Sequence, residues 1–220
     1  MSPCPDTPFP DRLGALWSAP ADARAGRPLL VAMHGWSYDE THLFEITRPL
    51  HDDVVVASLR APYPEAGGYV WFPRAGNPIG HPQPALANTL ARAVLSWLDA
   101  QPAFSSVGLI GSSQGGAMAL QVLRQDPSRC AYAVRMGGFV VSGDLPGDAL
   151  LTASRPPVLW GRGARDRVIP DDALARTESW IREHADGQVR VYAGLGHDVA
   201  GPEIDDLMDF VRRHTPRRTS

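Results

Sequence analysis

The chain has 220 residues, 44% of them hydrophobic and 20% charged, with a formal net charge of −3; that is length enough to bury one domain's core and too ordinary a balance for global disorder. All 21 basic residues are arginine, which excludes chemistry built on a P-loop lysine, a Schiff-base lysine or a lysine-held pyridoxal, and the slight negative charge offers no basic field for nucleic acid or an anionic membrane. Two cysteines, Cys4 and Cys130, are too few for a disulfide framework or a four-cysteine zinc site and read as unpaired thiols.

The first ten residues hold four prolines and lack the basic start and apolar core of a signal peptide. Residues 1–24 are expected to form an N-terminal arm with room for a first edge strand, residues 25–214 a single domain, and residues 215–220 a tail. The apolar run 28–33 ends at His34-Gly35 and predicts a buried strand. Residues 39–48 predict a weak helix with Asp39 as its cap, and residues 53–59 a β-branched strand. Residues 60–84, rich in proline and glycine, read as a long loop. Leu86, Leu90, Val94, Leu95 and Leu98 repeat at helical spacing over residues 84–100. A short strand over 107–110 is expected to break at Gly111, before a helix over 114–126 that stops ahead of Pro127.

Residues 132–136 predict a strand ending in Gly137-Gly138, and residues 158–160 one ending at Gly161. A helix is expected over 171–184, a half-buried strand over 188–192 and a last helix over 202–214. Apolar runs reach only five residues, against the ~20 of a spanning helix, so the chain is expected to be cytoplasmic with no membrane span. Buried strands alternating with helices predict a mostly parallel central sheet covered on both faces, with ligand sites at the carboxyl ends of its strands.

Residues with chemical promise follow those strand ends. Gly111-Ser112-Ser113-Gln114-Gly115 fits G-x-S-x-G between a strand and a helix. There a sharp turn exposes the serine and needs small neighbours, and the helix start offers N–H groups to a developing oxyanion. The plainer reading makes Ser113 a simple helix cap. A serine hydroxyl needs a base, and the base a carboxylate behind it, in the chain order serine, acid, histidine for hydrolases that use this turn. Three histidines follow Ser113. His184 falls in a helix pattern and His214 near the C-terminus, which leaves His197 on a glycine-flanked loop past a strand. Asp166 is the expected acid, with Asp144 and Asp148 as the runners-up. Asp171 and Asp172 read as helix-start residues, and Arg165 and Arg167 leave a surface ion pair as the alternative for Asp166. The oxyanion donors are expected to be the Gln114 N–H and, from the loop after residue 33, the Trp36 N–H. The Trp36 ring either walls the pocket or simply packs.

These motifs resemble the phospholipase/carboxylesterase family of α/β-hydrolases, relatives of acyl-protein thioesterases. The likeness rests on His34-Gly35-Trp36-Ser37-Tyr38-Asp39-Glu40, Leu59-Arg60-Ala61-Pro62, Gly68-Tyr69-Val70-Trp71-Phe72, Gly111 to Gly116, Gly161 to Pro170, and Gly196-His197. It implies the α/β-hydrolase fold and hydrolysis of a carboxylic ester through a serine acyl-enzyme, while the short inter-strand stretch, leaving the site uncovered, favours a small-molecule ester of small or medium acyl chain. Ser113, Asp166 and His197 stand at the catalytic positions, the Trp36 and Gln114 amides at the oxyanion hole, and Trp71 and Phe72 at the acyl pocket; the residues themselves leave those last two open as ordinary core. No metal or organic cofactor is implied. Many relatives carry a small residue where Trp36 stands, so long acyl chains are not expected. Only about 20 residues separate the 132–136 strand from the 158–160 strand, too few for a large lid domain. A thioesterase or small peptidase on the same side chains, or an inactive hydrolase-fold binding protein, are the rival readings. Monomer and homodimer are both open.

Overall fold

A computed structural model describes residues 13–216. The proline-rich arm over residues 1–12, with Cys4, and residues 217–220 of the tail lie outside the described residues. The elements in chain order are β1 (Ala15–Trp17), β2 (Pro28–Met33), α1 (Glu40–Ile46), β3 (Val55–Leu59), β4 (Tyr63–Glu65), β5 (Gly68–Val70), α2 (Pro84–Asp99), β6 (Ser106–Ser112), α3 (Gln114–Gln125), β7 (Tyr132–Met136), α4 (Pro146–Ser154), β8 (Pro157–Gly163), α5 (Asp171–His184), β9 (Asp186–Tyr192) and α6 (Pro202–His214).

Seven strands form one sheet in the order β1-β3-β2-β6-β7-β8-β9. Every neighbouring pair is parallel except β1, which runs antiparallel along β3 at the edge. Period-two alternation divides the buried side chains between two cores. Val31, Met33, Leu109, Ala133 and Trp160 face α2, α3 and α5, whereas Leu30, Ala32, Ile110, Val134 and Leu159 face α1 and α6. The interior strand β2 is buried along its whole length, as a parallel strand covered on both faces must be.

Helix starts follow local chemistry. The Asp39 carboxylate accepts from the Thr41 N–H at 2.9 Å and caps α1. Proline stands in the first turn of α2, α4 and α6, where its missing N–H costs nothing.

The structure corrects the expected pattern in four places. Residues 60–84 are not all loop, because β4 and β5 form a hairpin turning through Ala66 and Gly67 at φ of 54° and 82°. Three-residue strands are too short to show a period, and alanine gives no turn signal. Gly111 does not break β6, which continues to Ser112, and Gly161 lies inside β8 rather than at its end. Both glycines serve side-to-side packing instead: a Cβ at Gly111 would overlap the Gly115 carbonyl, and one at Gly161 the Glu203 carboxyl. The stretch between β7 and β8 also contains α4, which packs on α3 and α5 and builds no lid.

Candidate active site

The sharp turn between β6 and α3 holds Ser113 at φ 52°, ψ −115°. A non-glycine residue in this region is strained by about 1–3 kcal/mol and persists only where its surroundings impose it. Here they do. A Cβ at Gly115 would overlap the Met33 carbonyl at the end of β2, and one at Gly111 the Gly115 backbone. The two glycines of the motif thus let the helix start lie directly against the strand ends. The Ser113 N–H donates at 2.8 Å to the carbonyl of Met136, the last residue of β7, so the serine is held between β6 and β7.

The structure brings the three expected side chains together across 84 residues of chain. Ser113 Oγ lies 2.8 Å from His197 Nε2, and His197 Nδ1 lies 2.8 Å from Asp166 Oδ2. Asp166 stands on the turn after β8 and His197 on the loop after β9. The Val168 N–H donates to Asp166 Oδ1 at 2.8 Å and the Ile169 N–H to the same oxygen at 3.3 Å, leaving Oδ2 for the imidazole. Burial alone would push the Asp166 carboxyl up, but the hydrogen bonds from His197, Val168 and Ile169 outweigh it and hold the group below the usual carboxylate range. Gly137, at φ 58°, passes beneath the pair: a Cβ there would lie 3.4 Å from the imidazole and 3.7 Å from Asp166 Oδ2. The buried Arg135 guanidinium donates to the Gly138 carbonyl and so steadies this turn; it lies 4.6 Å over the Trp160 ring.

The runner-up acids are elsewhere. Asp148 is held in a buried ion pair, its oxygens accepting from Arg124 Nε at 2.8 Å and Nη2 at 2.7 Å. Asp144 does not border the cavity.

The loop after β2 faces the serine, and a Cβ at Gly35 would sit 3.5 Å from the Ser113 Cβ. His34, which composition and spacing did not single out, fixes this loop. The Ala61 N–H donates to His34 Nε2 at 3.0 Å, so Nδ1 carries the proton and donates to the Gly35 carbonyl at 2.8 Å. Burial keeps the ring's proton affinity low, so it stays neutral. The Gln114 N–H, at the first position of α3, has no preceding helical turn to donate to. Its side chain clamps the far wall: Oε1 accepts from the Trp71 and Phe72 amides at 3.0 and 3.2 Å, and Nε2 donates to the Phe72 carbonyl at 2.8 Å.

Trp71 requires a correction. It is fully buried and does not border the cavity; its indole N–H donates to the His34 carbonyl at 3.0 Å. It therefore buttresses the loop from behind, while Phe72, its neighbour in the chain, lines the cavity.

A cavity of about 390 Å³ opens over Ser113 and His197, with Trp36, Tyr38, Phe72, Phe139 and Val168 among its walls. The Trp36 indole is fixed by donating to Glu65 Oε1 at 2.9 Å. Tyr38 stacks on His42 at 3.9 Å between ring centroids. Glu65 and His42 carried no signal in the sequence, because both reach the site through tertiary pairing. Phe139 was in principle findable, as an aromatic just past the glycines that end β7. Among the described residues, no group of three or more His, Cys, Asp or Glu side chains is placed to hold a metal ion, and no helix is long and apolar enough to cross a membrane.

Comparison with known proteins bears on the family and the fold. The model of a family described as phospholipase/carboxylesterase matches residues 83–215. The carboxylesterase SOBER1 of Arabidopsis thaliana is 27% identical over 115 residues, 49% of this chain and 48% of that protein; the chain thus matches about half the length of that relative. Esterase YpfH of Escherichia coli strain K12 is 25% identical over 204 residues, covering 88% of this chain and 86% of that one. The crystal structure of esterase PE8 shares the fold, with a TM-score of 0.73 at 24% identity over 92% of this chain and 99% of that chain.

Proposed function

The chain belongs to the phospholipase/carboxylesterase family of α/β-hydrolases, and from that premise we propose that it hydrolyses carboxylic esters of small to medium acyl chains through an acyl-enzyme on Ser113. The observation that carries this reading is the unbroken relay from Ser113 Oγ through His197 to Asp166, with both links at 2.8 Å, beneath an open cavity.

Each group has a chemical task. Ser113 Oγ attacks the ester carbonyl carbon while His197 Nε2 takes its proton. Asp166, kept ionised, accepts from Nδ1–H, which orients the ring and stabilises the imidazolium. The amides of Trp36 and Gln114 receive the oxyanion, a contribution of about 3 kcal/mol per donor in comparable sites. The imidazolium then gives its proton to the departing alkoxide, so the C–O bond breaks to release a neutral alcohol. Water, deprotonated by His197, attacks the acyl-serine and frees the acid. The reading needs no cofactor.

The cavity argues for modest acyl length. The Trp36 indole is anchored by Glu65, and the Gln114 side chain clamps the backbone that carries the buried Phe72 ring. The substrate is taken to be a small soluble ester and the setting cytoplasmic.

Rapid-mixing kinetics with p-nitrophenyl butyrate test the assignment. The parent is expected to give an acylation burst. Ser113→Ala is expected to retain its circular dichroism spectrum, lose the burst and lose at least ~10³-fold in kcat. Turnover near the parent rate in that variant would overturn it. Parallel rates on matched thioester and amide substrates rank the leaving groups.

A further inference from the structure

Arg74 borders the cavity and stands out by how it is held. Its backbone N–H donates to both Glu65 oxygens, at 3.2 and 3.0 Å. The residues on either side are pinned too: Asn77 Nδ2 donates to the Pro73 carbonyl at 2.9 Å and to the Ala75 carbonyl at 3.3 Å. The side chain extends over the Trp36 ring, with its guanidinium carbon 4.9 Å from the ring centroid. Trp36 is itself fixed through Glu65. One carboxylate therefore sets the backbone of Arg74 and the aromatic surface beneath its side chain. No carboxylate among the described residues forms an ion pair with the guanidinium, and of the arginines Arg74 is the one that borders this cavity among the described residues. The arrangement presents an exposed cation on a pinned backbone, with its donor fork unused, at the rim of the cavity over Ser113.

We propose that Arg74 makes this cavity selective for esters whose acyl part ends in a carboxylate. A planar guanidinium resting on an aromatic face meets a carboxylate with two parallel N–H···O bonds. The acyl side follows from the chemistry of the relay, and in this the inference rests on the proposed serine-hydrolase reading. The leaving oxygen must reach His197 Nε2, so the alcohol lies toward His197 and its neighbour Asp198. Asp198 is exposed, borders the cavity and has no basic partner among the described residues, which disfavours an anionic alcohol there. The acyl chain is left the direction of Trp36 and, beyond it, Arg74.

The experiment compares esters matched in length and differing in terminal charge: mono-p-nitrophenyl adipate against p-nitrophenyl hexanoate, and mono-p-nitrophenyl suberate against p-nitrophenyl octanoate. The quantity read is the ratio of kcat/KM within each pair, for the parent, Arg74→Gln and Arg74→Glu. In at least one pair the parent ratio is expected to exceed one, to fall about tenfold or more in Arg74→Gln and to fall further in Arg74→Glu. A parent ratio at or below one in both pairs, or a ratio unchanged by Arg74→Gln, overturns the inference while leaving ester hydrolysis at Ser113 intact. Calorimetric binding of monomethyl adipate to Ser113→Ala reads the same contact without turnover. Adding Arg74→Gln is expected to weaken Kd about tenfold or more, and an equal Kd would overturn the inference whatever the enzyme hydrolyses.

Discussion

Ser113 occupies a conformation that serine avoids, and its neighbours explain why it stays there. Gly111 and Gly115 remove the two Cβ atoms that would push α3 away from β6 and β2, so the turn is held by backbone contact rather than by a side chain that could rotate. In the proposed mechanism the partner residues divide into a base that moves protons and an acid that does not. Hydrogen bonds keep Asp166 below the usual carboxylate range against the opposing effect of burial, so it remains ionised across neutral and mildly acidic pH. Asp166→Asn is expected to preserve the fold and to lower kcat by about 10⁴-fold, because an amide stabilises neither the required tautomer nor the imidazolium. Steady-state kinetics on the purified variant check this, and a loss under tenfold would show that the carboxylate does not support His197.

At this scale the sequence was informative about position and silent about partners. Ser113, His197 and Asp166 were legible because each follows a strand end, where a parallel sheet gathers its functional side chains. The choice of Asp166 over Asp148 could not be closed from the chain alone, since what removes Asp148 is its pairing with Arg124 across 24 residues. Trp71 was misplaced for a related reason. Trp71 and Phe72 are adjacent buried aromatics past the end of β5, and the contact of Trp71 with His34 shows that it is Phe72 that lines the cavity.

Among the elements, the long regular ones were legible and the short ones were not. The helices α2, α5 and α6 begin where proline or acidic residues mark them and carry clear apolar faces. The hairpin β4–β5 was invisible, because its stability is tertiary: the Tyr69 N–H donates to the Tyr38 carbonyl at 2.8 Å, and a Cβ at Gly68 would overlap the Ser37 carbonyl. This hairpin supplies Glu65, and through it the placement of Trp36 and Arg74. Helix α4 was missed as well, and it owes its position to the buried Arg124–Asp148 pair. That carboxylate also accepts from the Trp180 indole at 3.1 Å and the Leu145 N–H at 2.8 Å, so α3, α4 and α5 meet on one group. Asp148→Asn leaves the Arg124 guanidinium buried without a counter-charge and is expected to destabilise the fold by about 3–5 kcal/mol. Urea denaturation measures this. Because the pair lies away from Ser113, activity per folded molecule is expected to remain within about twofold of the parent, and a shift under about 1 kcal/mol would mean the pair does not join the helices.

Over the whole molecule, two cores back one sheet, and the face covered by α6 contains an unusual burden. Glu203 is 2% exposed, its side chain fills the space over Gly161, and neither carboxyl oxygen has a partner among the described residues. Burial pushes its pKa from 4.5 up to about 8. A folded-state value above the unfolded one means that the native protein keeps a proton the unfolded chain gives up. The resulting penalty is small below pH 4.5, grows as pH rises toward 8, and is complete above it, on the order of 3–5 kcal/mol. Glu203→Gln, which mimics the protonated group, is expected to match the parent's Tm near pH 4 and to exceed it at about pH 8.5. Thermal unfolding of both proteins across that interval checks the sign, and a difference independent of pH would show that Glu203 is not buried as a neutral acid.

The relay joining residues 113, 197 and 166 is the claim on which the functional account stands, and labelling of the serine tests it most directly. A fluorophosphonate, which forms a Ser–O–P bond and releases fluoride only with an activated serine, is reacted with the parent and with His197→Ala, and the adducts are located by peptide mass spectrometry. The account predicts one stoichiometric adduct on Ser113 in the parent and labelling slower by at least about 10³-fold without the imidazole. An unmodified Ser113 in the folded parent, or equal labelling rates in the two proteins, would contradict it.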